Sequence, residues 1–270
     1  MTLIDSVDPE ILNAVDARAS EIAQGASING KLAALLALGS IPIALGAIAK
    51  DVYGQAPSDV LDVLQFALLL EYLESDFYTR GVASPGMIPA AVQTVFNTIR
   101  DHENAHVGAL TAIIGTKGAT PRVKPTFDYT AKGNLAGFNF GAAQYTTFLA
   151  VAQAFEDTGV RAYKGQAGRL INDKSVLNAA LAIHSVEARH ASMIRRLRGA
   201  KGWITGNSRG DLPAFTQGVY DGEENVLQGG INITTLTGAT DNGGGNAATE
   251  AFDEPLTMAQ VTAIVTPFLP

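Results

Sequence analysis

Residues 103–106 read Glu-Asn-Ala-His, and residues 187–190 read Glu-Ala-Arg-His. Side chains three apart on an α-helix share a face, so each stretch offers a carboxylate and an imidazole from one side of one helix. Two more glutamates stand in mainly apolar surroundings: Glu71 in Leu69-Leu70-Glu71-Tyr72, and Glu156 in Ala154-Phe155-Glu156-Asp157. An unpaired charge buried there would cost roughly several kcal/mol. Taken singly, the Glu-x2-His pairs match salt-bridged surface turns, and the lone glutamates match carboxylates on an outer helix face. Their arrangement along the chain favours a different reading.

The pattern occurs twice. Glu71 is followed seven residues on by Tyr78, and Glu156 seven residues on by Tyr163. From Glu71 to Glu103 is 32 positions, and from Glu156 to Glu187 is 31. Two of the chain's four histidines, His106 and His190, complete the two repeats. Four carboxylates facing one core sum to −4, which is tolerable only if they are protonated or matched by cations. Two divalent ions bring +4, with two glutamates free to bridge them and one histidine completing each. Glu71, Glu103, His106, Glu156, Glu187 and His190 are therefore the candidate metal ligands. Glu74, one turn beyond Glu71, has Gly159 at the matching place in the second half. It is either an extra ligand or a polar residue at the bundle's edge. Tyr78 and Tyr163 are candidates for a catalytic part, by hydrogen bonding or redox, or else simple core residues. His184 is a candidate to buttress a ligand or a partly exposed residue, and His102 is expected to point away.

Working outward, these residues fall on four long periodic segments. They start near Ser58, Pro89, Ala142 and, capped by Asp173, at Lys174. Each spans about 25 residues, or roughly 38 Å of helix, a bundle length. Short turns at Ala83-Ser84-Pro85-Gly86 and near Asn172 make antiparallel neighbours. Between the second and third segments lie about 25 residues without helical period, holding Pro121, Pro125, Gly133 and Gly137. So long a loop in a compact domain needs a reason, and one crossover along a four-helix bundle supplies it. The expected architecture is all-α: an N-terminal helical extension over 1–54, the bundle over 55–200, and a loop-rich extension over 201–270. In the last, Gly, Asn and Thr-rich loops lead to a short helix near Leu256–Val265. Arg195, Arg196 and Arg198 read as cations meeting the C-terminal dipole of the fourth helix.

Composition narrows the functions. A net charge of −7 argues against nucleic acid. The absence of cysteine excludes disulfides, thiolate metal sites and cysteine nucleophiles, and leaves the compartment open. Any metal must be held by oxygen and imidazole nitrogen.

At these residues the chain resembles the ferritin-like superfamily, and more closely its bacterial and plant desiccation-related group. Leu70-Glu71-Tyr72-Leu73-Glu74-Ser75-Asp76-Phe77-Tyr78 is similar to that group's first bundle helix, and Ala251-Phe252-Asp253-Glu254-Pro255 to its usual ending. The resemblance covers about 55–270. It implies iron or manganese as the two ions, and O2 or H2O2 as substrate in ferroxidase, peroxidase or catalase-like stress protection. The rival expectation is a structural or protective protein whose metal only staples the bundle.

One segment stands apart from this pattern. Leu32–Ala49 holds 18 uncharged residues between Lys31 and Lys50, with Pro42 in the middle. Three readings stand: a helix packed on the bundle or on a second subunit, membrane contact, or the remnant of an export leader. The acidic stretch before it argues against a leader, and burial against a partner copy makes a homo-oligomer the expectation. A cytoplasmic location is favoured, with export or the cell envelope as alternatives. The third functional expectation, a subunit of a membrane or surface assembly, rests on this segment alone.

Overall fold

The structure, a computed structural model, describes residues 60–236 and 245–270. The extension expected over 1–54, with Leu32–Ala49, lies outside the described residues. Among the described residues no helix is long and apolar enough to cross a membrane.

Four helices form the bundle: α1 Val60–Ala83, α2 Gln93–Thr116, α3 Tyr145–Ala167 and α4 Lys174–Leu197. Asp173 caps α4 as its sequence suggests, its side chain accepting from the Val176 N–H at 3.2 Å. The segments expected to begin at Pro89 and Ala142 instead open with 3-10 turns, Ala90–Val92 and Ala142–Gln144. Regular α-geometry starts only at Gln93 and Tyr145, a tightening common at helix ends.

On α2 and α4 the buried residues form single stripes. On α4 these are Val176, Ala180, Ile183, Glu187, His190, Ala191, Ile194 and Arg195, the spacing of one face packed on a core. By contrast, α3 is buried without a break from Phe148 to Tyr163. α1 packs mainly on α2, and α3 on α4.

The crossover follows α1. Arg122 donates its backbone N–H to the Gln65 side chain at 2.8 Å, Lys124 pairs with Asp76 at 2.6 Å, and the Tyr129 hydroxyl donates to the Leu73 carbonyl at 3.0 Å. Its aromatic residues Tyr129, Phe138 and Phe140 then gather round Phe77, which stacks on Phe148 of α3 at 4.6 Å.

The C-terminal extension straps the outer side of α3. The Leu256 N–H donates to the Arg161 carbonyl at 3.0 Å. The Arg161 guanidinium donates to the Glu254 carbonyl and pairs with Glu223, both at 2.7 Å. This extension holds more order than its loop-like composition suggests. Strands β1 Leu227–Gln228 and β2 Ile231–Asn232 form an antiparallel hairpin. The intervening Gly229 and Gly230 both adopt positive φ, 57° and 82°, which a two-residue hairpin turn of this hand demands. Helix α5, Gly245–Glu250, was not expected either. The final helix, α6, is Met258–Val265 rather than Leu256–Val265, because Thr257 caps it in a box with Gln260 while Leu256 stays extended against α3.

Candidate metal centre

The bundle brings all six candidate ligands together. Glu71, Glu103, His106 and Glu187 offer donor atoms within 4.8 Å of one another, and so do Glu103, Glu156, Glu187 and His190. The two groups share Glu103 and Glu187, one from α2 and one from α4. All four carboxylates are fully buried, and His106 and His190 nearly so.

The contacts inside this cluster differ from an ordinary hydrogen-bond network. Nδ1 of His106 lies 3.2 Å from Glu71 Oε2, 3.2 Å from Glu103 Oε2 and 3.1 Å from Glu187 Oε1. One ring nitrogen carries at most one hydrogen, so it cannot serve three oxygens. Nδ1 of His190 sits 2.9 Å from Glu103 Oε1 and 3.3 Å from Glu156 Oε2. Despite that proximity, those atoms and both Glu187 oxygens make no well-aligned hydrogen bond. Buried polar atoms are almost always satisfied. Here the donor atoms of each group crowd within 4.8 Å of one another, as ligands around a cation do. The residues present fit metal ions, and oxygen with imidazole nitrogen suits first-row divalent metals.

Around this core stands a reciprocal pair of tyrosines. Tyr163 of α3 donates to Glu71 Oε1 of α1 at 2.5 Å, and Tyr78 of α1 donates to Glu156 Oε1 of α3. Each tyrosine therefore serves the glutamate of the other half, and the two pairs show that α1 and α3 run antiparallel. Each hydroxyl holds one carboxylate oxygen and leaves the other facing the cluster.

Protons balance the metal-free cluster. Burial pushes the Glu71 carboxyl up to about 7. Burial, together with neighbouring carboxylates, sends Glu74 and Glu187 well above the ordinary range, and burial also raises Glu156. Burial pushes Glu103 up as well, but pairing with His106 and His190 outweighs it and holds Glu103 at about 2. Burial disfavours the imidazolium forms, yet the surrounding carboxylates hold His106 at about 12 and His190 at about 11.

The family model for the ferritin-like domain matches residues 59–200. The chain belongs to the ferritin-like family. The match covers all four bundle helices and leaves the strapping C-terminal extension outside. It does not reach the desiccation-related group. No curated protein matches the chain.

Within this ferritin-like bundle, several side chains stand elsewhere than expected. Glu74 is buried, 4% exposed, so it is no edge residue, and it belongs to neither donor group. A Cβ on Gly159 would lie 3.2 Å from Glu187 Oε2 and 3.4 Å from Glu74 Oε1. The glycine that breaks the sequence repeat thus makes room for the extra carboxylate. His184 turns from the cluster to the Val160 backbone. Arg195 is no surface cation at a helix end: it is 6% exposed and grips Asp157 through two bonds of 2.9 and 2.5 Å. Asp157 also accepts from the Tyr220 hydroxyl at 2.7 Å, tying α3, α4 and the extension together. His102, expected to point away, reaches across to α4 and lies 3.0 Å from His190. No residue spacing signals that contact, because it joins two helices whose relative rotation is set by packing.

Proposed function

We propose that the chain holds two divalent ions, iron or manganese, in a redox centre acting on O2 or H2O2. The observation that carries this reading is the pair of donor groups sharing Glu103 and Glu187. In it, Glu71 and His106 would serve one ion, Glu156 and His190 the other, and the two shared glutamates both. With four carboxylates and two divalent ions the formal charges cancel, as a fully buried site requires. When bound, such ions supply one-electron redox chemistry and open coordination positions for small oxygen species.

This chain's own residues shape that chemistry. Tyr78 and Tyr163 pin Glu156 and Glu71 by one oxygen each, fixing the direction of the other. The tyrosines also lie close enough to give a proton or an electron to the centre. An apolar recess is lined by Ala67, Leu70, Leu110, Ala162, Val176 and Tyr163, the tyrosine whose hydroxyl donates to Glu71. Such a lining admits an uncharged molecule such as O2 more readily than a charged one. Glu74, buried beside Glu187, is placed to carry a proton there.

The test is metal analysis of protein from its native host, followed by anaerobic loading with Fe(II) and mixing with O2 or H2O2. Two ions per chain with rapid oxidation or peroxide turnover supports the proposal. Two tightly held but inert ions would show a centre that only staples the bundle, and no metal at all would end the reading.

A further inference from the structure

His102 departs from the doubled pattern of the two halves. The residue before Glu103 is His102, whereas the residue before Glu187 is Val186. Nδ1 of His102 lies 3.0 Å from Nε2 of His190. The two ring planes are inclined by only 14°, with centroids 5.3 Å apart. Near-parallel rings that far apart, joined by so short an N···N contact, lie edge to edge in almost one plane. This is a hydrogen-bonded pair of imidazoles rather than a stack.

The tautomers of the pair are chained. If Nδ1 of His190 gives its lone pair to an ion, Nε2 must carry the hydrogen. That hydrogen then points at Nδ1 of His102, which accepts it and leaves its own N–H on Nε2. The reverse arrangement, with His102 donating, would put the His190 hydrogen on Nδ1, facing Glu103 and Glu156 where an ion would sit. His106 has no such partner on its Nε2 among the described residues, and the valine at the matching place cannot provide one.

We infer that His102 is a positioning residue, fixing the plane and tautomer of His190 so that the two halves of the centre hold their ions unequally. The ion on the His190 side binds more tightly than the ion on the His106 side. This rests on the metal reading above, but it concerns the chain's own imidazoles and has a readout without metal. Partners of this kind are worth roughly 10–100-fold in metal affinity.

The experiment titrates the metal-free full chain with Mn(II) alone, following free Mn(II) by electron paramagnetic resonance. The wild type should take up two equivalents of unequal affinity. His102→Ala should weaken the tighter one by about 10–100-fold and spare the other. His102→Gln, whose amide oxygen accepts from the same N–H, should restore it. Val186→His should tighten the weaker one by giving His106 a partner. In parallel, long-range 1H–15N correlation of the metal-free protein should show a slowly exchanging Nε2–H on His190 that His102→Ala abolishes. Equal losses at both positions in His102→Ala, no loss at all, failure of His102→Gln to rescue, or persistence of that resonance would overturn the inference. If the wild type binds no Mn(II), the metal reading falls, while the proton resonance still decides whether His102 holds His190.

Discussion

Replacing Glu103 with Gln tests the centre most sharply, because the shape is kept and one charge is lost. Glu103 is fully buried and belongs to both donor groups. In the loaded wild type, Glu71, Glu103, Glu156 and Glu187 sum to −4 against +4 from two ions. Glu103→Gln leaves +1 uncompensated at a fully buried position. Removing one partner of a buried ion pair costs about 3–5 kcal/mol, or roughly a thousandfold in affinity at 1.4 kcal/mol per tenfold. At a free metal concentration a thousand times the wild-type dissociation constant, binding stabilises the wild type by about 4 kcal/mol. The same concentration would stabilise the variant by only about 0.4 kcal/mol. At about 2–4 °C per kcal/mol, the metal-induced rise in Tm should shrink from roughly 8–16 °C to about 1–2 °C. Differential scanning calorimetry with Mn(II) and with chelator measures that rise directly. Taking the difference removes any effect of the variant on the metal-free fold. Glu71→Gln, in one donor group only, should lose one ion and keep the other. A Glu103→Gln protein that binds two ions with the wild-type rise in Tm would refute the assignment.

Four further outcomes follow from the structure. Metal uptake must displace protons from His106, His190 and Glu71, held at about 12, about 11 and about 7; Mn(II) affinity should therefore climb between pH 6 and 8, and a flat profile would contradict this. These raised groups bind more protons folded than unfolded, so their stabilisation is complete below the unfolded values and lost as pH rises through the folded ones. The metal-free protein should accordingly melt lower at pH 8 than at pH 5, while Glu103, held at about 2, withdraws stability only as pH falls below its ordinary range. Tyr163→Phe strips Glu71 Oε1 of its donor and should cost the metal-free protein about 1–3 kcal/mol in urea unfolding; an unchanged midpoint would show that the bond is idle. Gly165→Ala would place a Cβ 1.9 Å from the Leu256 carbonyl oxygen, prising the extension off α3 at a cost of about 1–3 kcal/mol. Gly108→Ala, with nothing within 4 Å on α2, should instead raise stability by about 0.5–1 kcal/mol; the same sign for both in thermal melts would contradict the packing.

Much of the bundle is legible in the chain because helices announce themselves locally. Asp173 caps α4, proline and glycine punctuate the turns, and the i, i+3 spacing puts each histidine beside its glutamate. What escaped the sequence depends on how helices face one another. The repeat sets Tyr78 at the same distance from Glu71 as Tyr163 from Glu156, but it does not say which glutamate each hydroxyl meets. The two-fold arrangement exchanges them, and no linear spacing records that. Asp157 and Arg195 are 38 positions apart and meet only because α3 turns a second polar residue to its outer side. The hairpin at Gly229-Gly230 and helix α5 lie in a stretch rich in glycine, asparagine and threonine, where no hydrophobic period marks an element.

The unbroken burial of α3 bears on how the protein breathes. Amide protons exchange through local openings whose free energy follows how much packed surface each opening must expose. Between Phe148 and Tyr163 every side chain of α3 is enclosed, and the C-terminal strap covers its back. On α2 only Phe96, Ile99, Glu103, His106, Leu110 and Ile114 are buried. Amides of α3 should thus exchange only when the whole molecule unfolds, while those of α2 exchange through far smaller excursions. Since α2 carries both Glu103 and His106, each such excursion lifts a shared carboxylate and an imidazole out of the cluster together. α4, which carries Glu187 and His190, is likewise buried along one stripe only, so ions held as proposed would come and go through openings of α2 and α4 rather than of α3.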